Sequence, residues 1–454
     1  MTGVATAPTE APRASLARTL GLRDLVLIVV GTVIGSGIFL VPSTVLRQTG
    51  GSVSVAFTVW VVAGILSLLG ALTFAEMGAA KPDAGGLYVY IRDAFGPLPA
   101  FLYGWTAFFV LGSGSVATLA VAFTAYLRQL VPVSPVAAKV VAVVIIAILM
   151  AVNVRGARQG SDVQNVSTAI KAGAIIIMSA VLLALGGDGA SQAAPAPAAE
   201  TSMLAGIGLA MIGVLWAYEG WQYATFSAGE TIDPQRTFPR AMVLGTIFLI
   251  AIYLLANAAY VAVLGTGGVM ASERVAADAV SAALGPGAAR VITVVILISM
   301  FSAANGLTLT TPRLYYAMAR DRVFFAKFAE VHPRFGTPAL AIIVSSLWAM
   351  VLAVTGTFEQ LLTYVVFAGW VFYALGGLAI FVYRRRHPDM VRPFRTPGYP
   401  LTPILFVASA VAIVLNTIVS QPARAAVGLG FMLLGVPAYF VWRSRAGGHS
   451  LDAR

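Results

Sequence analysis

Twelve stretches of this chain are apolar over about 20 residues, the length a helix needs to cross the hydrocarbon core of a bilayer. They lie near 24–47, 52–80, 97–130, 134–153, 164–186, 203–230, 238–264, 287–318, 338–355, 359–383, 400–420 and 424–443. Gly85-Gly86-Leu87-Tyr88-Val89-Tyr90 extends the third of them backwards as an oblique start. Of the 454 residues, 59% are hydrophobic and only 10% charged, where a soluble domain carries about a quarter charged. Inside lipid each backbone polar group must be satisfied by the chain itself, which leaves helices as the spanning form for such runs. The expectation is an all-α polytopic membrane protein with twelve transmembrane helices.

The formal net charge of +11 does not point to nucleic acid, because the basic residues are spread over short connections and form no stripe interleaved with aromatics. They sort by side of the membrane instead. With the N-terminus inside, only Arg47, Arg128, Lys139, Arg274, Arg290 and Arg424 fall outside, and Lys171 falls within a span. Both termini are therefore expected in the cytoplasm, with a flexible tail at 1–22 and a C-terminal tail at 446–454. No signal-peptide pattern opens the chain. The Ala/Pro-rich connection from Gly186 to Ser202 reads as an external linker, and Ala271 to Leu284 as a short external surface helix. The Arg320-Asp321-Arg322 run reads as a solvated loop. There is no cysteine, and His332, His387 and His449 lie in polar connections or tails, so no metal site or cofactor is expected.

Two spans carry breaks. The first contains Gly31, Gly35 and Gly37, the last two flanking Ser36. Each glycine costs about 1 kcal/mol in a helix interior relative to alanine, and opened backbone is tolerated at membrane depth only beside protein or a cavity. The sixth span contains Trp216-Ala217-Tyr218-Glu219-Gly220-Trp221. Breaks at corresponding positions of two five-helix halves point to inverted repeats with substrate bound at the midplane. The halves are 23–190 and 191–390, followed by two further helices in 391–445.

GTVIGSGIFLVPS resembles the first-helix signature of the amino acid–polyamine–organocation superfamily, and KPDAGGLYVYIRDAFGP its loop after helix 2. WAYEGWQYATFSAGETIDPQRTFPRA resembles its sixth helix and exit, FSAANGLTLTTPRLYYAMARDRVFFAKFAEVHPRFGTPALA its eighth helix and following loop, and HPDMVRPFRTPGYPLTPIL its link from helix 10 to 11. The aromatic-Ala-Tyr-acidic-Gly-Trp pattern and the lysine of helix 5 are most similar to the L-type amino acid transporter branch. The resemblance implies a LeuT-type five-plus-five fold with helices 1 and 6 broken, and transport of an amino acid by alternating access.

Burying the paired charges of an amino acid without partners would cost several kcal/mol. Two broken helices supply partners without charged side chains. Amides of Ser36, Gly37 and Ile38, at the start of the outer half of helix 1, suit the carboxylate. Carbonyls of Val33, Ile34, Trp216, Ala217 and Glu219 are expected free for the ammonium, with Gly35, Gly37 and Gly220 allowing close approach. The resemblance makes Trp216 a gate, where the family more often carries phenylalanine. It also places the Lys171 ammonium in the position of a coupling sodium, against the break in helix 1; a proton carrier is the other reading. An intramembrane lysine is costly and is usually functional. Glu219 has two open roles, structural or in direct contact with substrate or proton. Glu76, near Lys81, is a gate or capping residue. Ser302 and Asn305 in helix 8, and Tyr364 and Trp370 in helix 10, are candidates for pocket lining or for packing.

The favoured reading is a secondary transporter of neutral amino acids, either a sodium-independent exchanger or a proton-coupled uptake system. Transport of cationic amino acids or polyamines, and a non-transporting receptor of the same fold, are the alternatives. A channel would need symmetric rings of charge or carbonyls, and no Ser/His/Asp or paired-carboxylate set suggests an enzyme. The lack of cysteine rules out the disulfide-linked accessory subunit that the resemblance to some eukaryotic relatives would suggest, and leaves a non-covalent partner open.

Overall fold

Lipid-facing surface sets the arrangement of the helices. The computed structural model describes residues 18–186 and 203–445, so the tails and most of the 186–202 connection lie outside the described residues. The elements are α1 (Leu22–Val33), α2 (Gly37–Gln48), α3 (Val53–Ala80), α4 (Leu87–Phe95), α5 (Pro97–Thr106), α6 (Ser113–Leu127), α7 (Pro135–Val154), α8 (Ala157–Leu185) and α9 (Met203–Ala217). They continue as α10 (Pro234–Ala271), α11 (Val275–Leu284), α12 (Pro286–Thr310), α13 (Pro312–Arg320), α14 (Ala339–Thr355), α15 (Phe358–Arg386), α16 (Leu401–Ser420) and α17 (Pro422–Arg445). Among the described residues, ten helices are long and apolar enough to cross a membrane, or eleven when the bent pair α1–α2 counts as one span. The ninth expected span, near 338–355, is α14, whose 17 residues make it the one span of the expected twelve that falls short.

The span through α5 and α6 is 83% buried in its most apolar window, against 22% for α7 and 28% for α17. The first belongs to the interior and the others to the rim. On the rim the exposed side chains are apolar, as with Val136, Leu204 and Val419, which are 73%, 81% and 82% exposed. Such a surface is stable against hydrocarbon and not against water.

Proline opens α5, α7, α10, α12, α13 and α17, where its missing N–H costs nothing and its φ is already helical. The oblique start expected for the third span is instead a separate helix, α4, because Gly96 follows it at φ +91. The fifth span starts earlier than expected, at Ala157, which puts Lys171 about four turns from that end. Between α5 and α6 the chain widens into a π turn at Ala107–Gly112. Tyr315 donates to the Ala107 carbonyl at 3.1 Å and Trp348 Nε1 to that of Phe109 at 3.0 Å, satisfying backbone that the wider turn exposes. The segment expected as a surface helix is α11, with Val275, Ala276, Ala277, Ala279 and Val280 buried against the bundle.

One face of the bundle is held by ion pairs. Glu76 accepts from Arg384 at 2.9 and 2.7 Å and from the Thr396 amide at 2.6 Å. Lys81, near Glu76 in sequence, pairs with Asp93, and Arg92 joins Asp93 to Asp321. The Asp321 of the mixed-charge run is thus part of an ion-pair network. Burial alone would push the Asp93 carboxyl up; the Lys81 hydrogen bond and the Arg92 charge override it and hold the group below the usual carboxylate range.

Deeper in, Arg313 grips Glu230 with two bonds, at 2.9 and 3.2 Å, both side chains buried. The backbone carbonyl of Glu230 also accepts from Thr19 and Leu20, and the Leu20 carbonyl accepts from Ile232. The segment before α1 is thereby fastened to the segment that follows the sixth span. Removing one member of a buried pair strands the other charge, at a cost of about 3–5 kcal/mol. Arg313→Met should lower the unfolding midpoint in detergent sharply, and Glu230→Gln added to it should recover part of the loss.

Candidate substrate site at the two helix breaks

Helix α1 stops at Val33 because Ile34 turns to an extended conformation, φ −70 and ψ 90, and α2 leaves at 45° from Gly37. The opened carbonyls are taken by side chains. Lys171, fully buried on α8, donates to Gly31 O at 2.6 Å, Ile34 O at 2.5 Å and Ser299 O at 3.3 Å. An ammonium has three donors, and all three are used. Ser299 Oγ adds bonds to Ile34 O at 3.1 Å and Gly35 O at 3.3 Å.

The second break follows Ala217. Gly220 has φ +131, a conformation that side-chain-bearing residues avoid. It also touches α1: a Cβ there would lie 2.7 Å from Thr32 O. Thr32 Oγ1 lies 3.0 Å from Gly220 O, and Tyr253 Oη lies 3.2 Å from Val33 O and 2.9 Å from Ala217 O. A Cβ on Gly37 would lie 2.5 Å from Ala217 Cα. Three separate contacts therefore press one break onto the other.

Of the five carbonyls expected to be free, four are not, and only that of Glu219 has no donor among the described residues. Val33 and Ala217 meet Tyr253, Ile34 meets Lys171 and Ser299, and Trp216 O accepts the Glu219 amide at 3.0 Å. Backbone opened in an apolar interior finds donors within the protein, and each carbonyl keeps capacity for a second bond. The amides behave differently. Those of Ser36, Gly37 and Ile38 have no acceptor among the described residues. They stand at the N-terminal end of α2, where partial positive charge accumulates.

A cavity opens between the breaks, lined by Thr32, Val33, Gly35, Ser36, Gly37, Ser115, Leu119, Trp216, Glu219, Tyr223 and Leu307. Its volume is about 20 Å³, counted as space open to the centre of a water molecule, which is room for water and too little for an amino acid. Glu219 Oε1 accepts from Gln222 Nε2 at 2.5 Å and from Tyr373 Oη.

Of the residues expected at the site, Val33, Gly35, Ser36, Gly37, Trp216 and Glu219 reach this cavity, while Ile34, Ile38, Ala217 and Gly220 lie behind its wall. Ser302 is turned to Thr168 at 3.4 Å, and Asn305 is held by Asn153, Gly160 and Gln164, so both belong to packing between α7, α8 and α12. Tyr364 and Trp370 are likewise absent from the lining. Thr32 and Tyr223 sit inside the quoted motifs, and Ser113-Gly114-Ser115 repeats the small polar character of Gly35-Ser36-Gly37, so a signal for them existed. Nothing in the sequence marks Tyr253 or Leu119.

Residues 20–441 match the amino acid permease family. The chain belongs to that family. This permease is 34% identical to the b(0,+)-type amino acid transporter 1 of Mus musculus over 440 residues, covering 96% of the chain and 90% of the relative. It is 30% identical to the serine/threonine exchanger SteT of Bacillus subtilis over 433 residues, 95% of the chain and 98% of that protein. It is 32% identical to the large neutral amino acids transporter small subunit 2 of Mus musculus, covering 94% and 81%. The resemblance to the superfamily and its L-type branch stands with these relatives.

Two substitutions probe how the permease holds its breaks. Lys171→Met leaves the Gly31 and Ile34 carbonyls short of a donor, at about 1–3 kcal/mol for each buried group left unmade; hydrogen exchange over 31–37 should accelerate and the unfolding midpoint should fall. Gly37→Ala drives a methyl into Ala217 and should separate the breaks. A folded, monodisperse protein that no longer binds amino acid in a thermal-shift titration is the expected result.

Proposed function

We propose that this permease is a secondary transporter that carries neutral amino acids across the cell membrane by alternating access. The observation that carries this is the pairing of the two breaks over one cavity, with the amides of Ser36, Gly37 and Ile38 left without acceptors in the protein. Those amides suit the substrate carboxylate, and carbonyls of the breaks have lone pairs left for its ammonium. The cavity is walled by Trp216, Leu119 and Leu307 and is too small for an amino acid, so passage requires its walls to part.

Counting α14 as a span gives twelve, with the ion-paired face and both termini cytoplasmic by the distribution of arginine. The layout we infer is a LeuT-type pair of inverted five-helix repeats, 23–190 and 191–390, with α16 and α17 added. Exchange without sodium is the coupling best supported. A fixed ammonium at Lys171 already serves the carbonyls of the helix 1 break, and one relative of nearly equal length is named an exchanger.

Purified protein in liposomes tests this. Labelled neutral amino acid should enter vesicles preloaded with amino acid and should not enter empty ones, with or without sodium. Uptake into empty vesicles under an inward pH gradient would replace exchange with proton symport. A requirement for sodium would overturn the reading of Lys171, and binding without flux would make the protein a receptor.

A further inference from the structure

The loop after α13 folds back onto the rim of the bundle. Phe324 and Phe325 pack on Trp442, near the end of α17, with ring centres 5.7 and 5.1 Å away. Phe101 and Trp105 of α5 reach the same indole at 6.1 and 6.4 Å. The outer side of this cluster is open, with Phe325 and Val441 each 47% exposed. Its height follows from the helix that carries it. From Pro422 to Trp442 α17 rises about 30 Å, the thickness of the hydrocarbon core. Trp442 therefore stands where hydrocarbon gives way to headgroups, the level that tryptophan favours.

The charges around the cluster are sorted. In Arg320-Asp321-Arg322 the acid turns inward, where it accepts from Tyr88 at 2.9 Å and from Arg92 at 2.6 Å. The two arginines are exposed, as are Lys327, two residues past Phe325, and Arg443, next to Trp442. None of these four bases has an acidic partner among the described residues. Between 320 and 330, Glu330 is the only exposed acid.

Positive charge at a helix end serves topology in many membrane proteins, so charge alone decides little. Arg322 goes further. It has φ +60 and closes α13, its amide donating to Ala319 O while the Val323 amide donates to Met318 O. Glycine is the usual residue where a helix ends in left-handed backbone, because a side chain there is strained. The chain instead carries an exposed guanidinium at that position, two residues from the aromatic cluster.

We infer that this corner of the rim binds an anionic phospholipid on the ion-paired face of the membrane. Arg322, Lys327 and Arg443 would hold the headgroup, and the exposed aromatic and apolar side chains beside Trp442 would receive its acyl chain. A zwitterionic headgroup brings its own ammonium and gains less from three bases. The inference is independent of the substrate and coupling read above.

The test titrates purified protein in neutral detergent with phosphatidylglycerol or phosphatidylcholine and follows the unfolding midpoint. Phosphatidylglycerol should raise it at concentrations where phosphatidylcholine does not, and less so in high salt. Each base near an anionic lipid is worth about fivefold in affinity. Arg322→Gly and Lys327→Ala should each cost that much, and the two combined with Arg443→Ala on the order of a hundredfold. Arg322→Gly should do so with the lipid-free midpoint unchanged or raised, because glycine relieves the backbone. Arg155→Ala, at an exposed arginine ending α7, should leave the lipid response intact. Equal responses to the two lipids overturn the inference, and so does a full response in the triple variant. A loss in Arg155→Ala matching that of Arg322→Gly overturns it too, by making the effect one of general surface charge. Displacement of phosphatidylglycerol by equimolar glycerol phosphate overturns the lipid as occupant and leaves a phosphate site.

Discussion

The Lys171 ammonium against the carbonyls of Gly31 and Ile34 is the contact on which the centre of the bundle depends. A helix interrupted at membrane depth leaves polar backbone that no water reaches, and each unmet group costs as much as a lost hydrogen bond. One buried cation answers several of them at once. It does so at the C-terminal end of α1, where the helix carries partial negative charge. Three residues later α2 begins and presents partial positive charge through the unbonded amides of Ser36, Gly37 and Ile38. The opened segment therefore offers ends of opposite sign within one turn of chain.

Support for that segment comes from elements far apart in sequence. Ser299 of α12 and Tyr253 of α10 reach the same opened carbonyls, and Thr32 bridges to Gly220 in the other broken span. The two broken spans meet again through the backbone of Leu20, ahead of the first, and Glu230, at the end of the second, and Arg313 fixes the Glu230 side chain. The broken spans are thus coupled at the site and again through this backbone contact.

Much of this was legible in advance, for reasons that differ from residue to residue. The spans could be read because a bilayer imposes length and apolarity on each helix separately, and only α14 fell short. The breaks at Gly35 and Gly220 could be read because glycine is costly in a helix, and at Gly220 φ is positive, where glycine is required. Lys171 stood out because a lone charge in an apolar helix demands partners. Which partners it found could not be read, since Gly31 and Ser299 reach it from other helices. Glu76 shows the limit in the other direction: Lys81 is near in sequence, yet the bidentate fork of Arg384 lies across the bundle and takes the carboxylate.

Sequence alone determined a multi-pass helical membrane protein with two interrupted spans, the amides at the first interruption and a lysine within reach of it. Those are properties of single segments, dictated by lipid and by the backbone preferences of glycine. The tertiary structure alone decided that four of the five carbonyls expected free are bonded, that Ser302 and Asn305 serve packing, and that Ser115, Leu119 and Tyr223 wall the cavity. Those facts depend on which faces of α6, α8, α10 and α12 turn toward one another. Neighbouring helices in a bundle can rotate to present any of several apolar faces, and the choice is made by the packing of the whole.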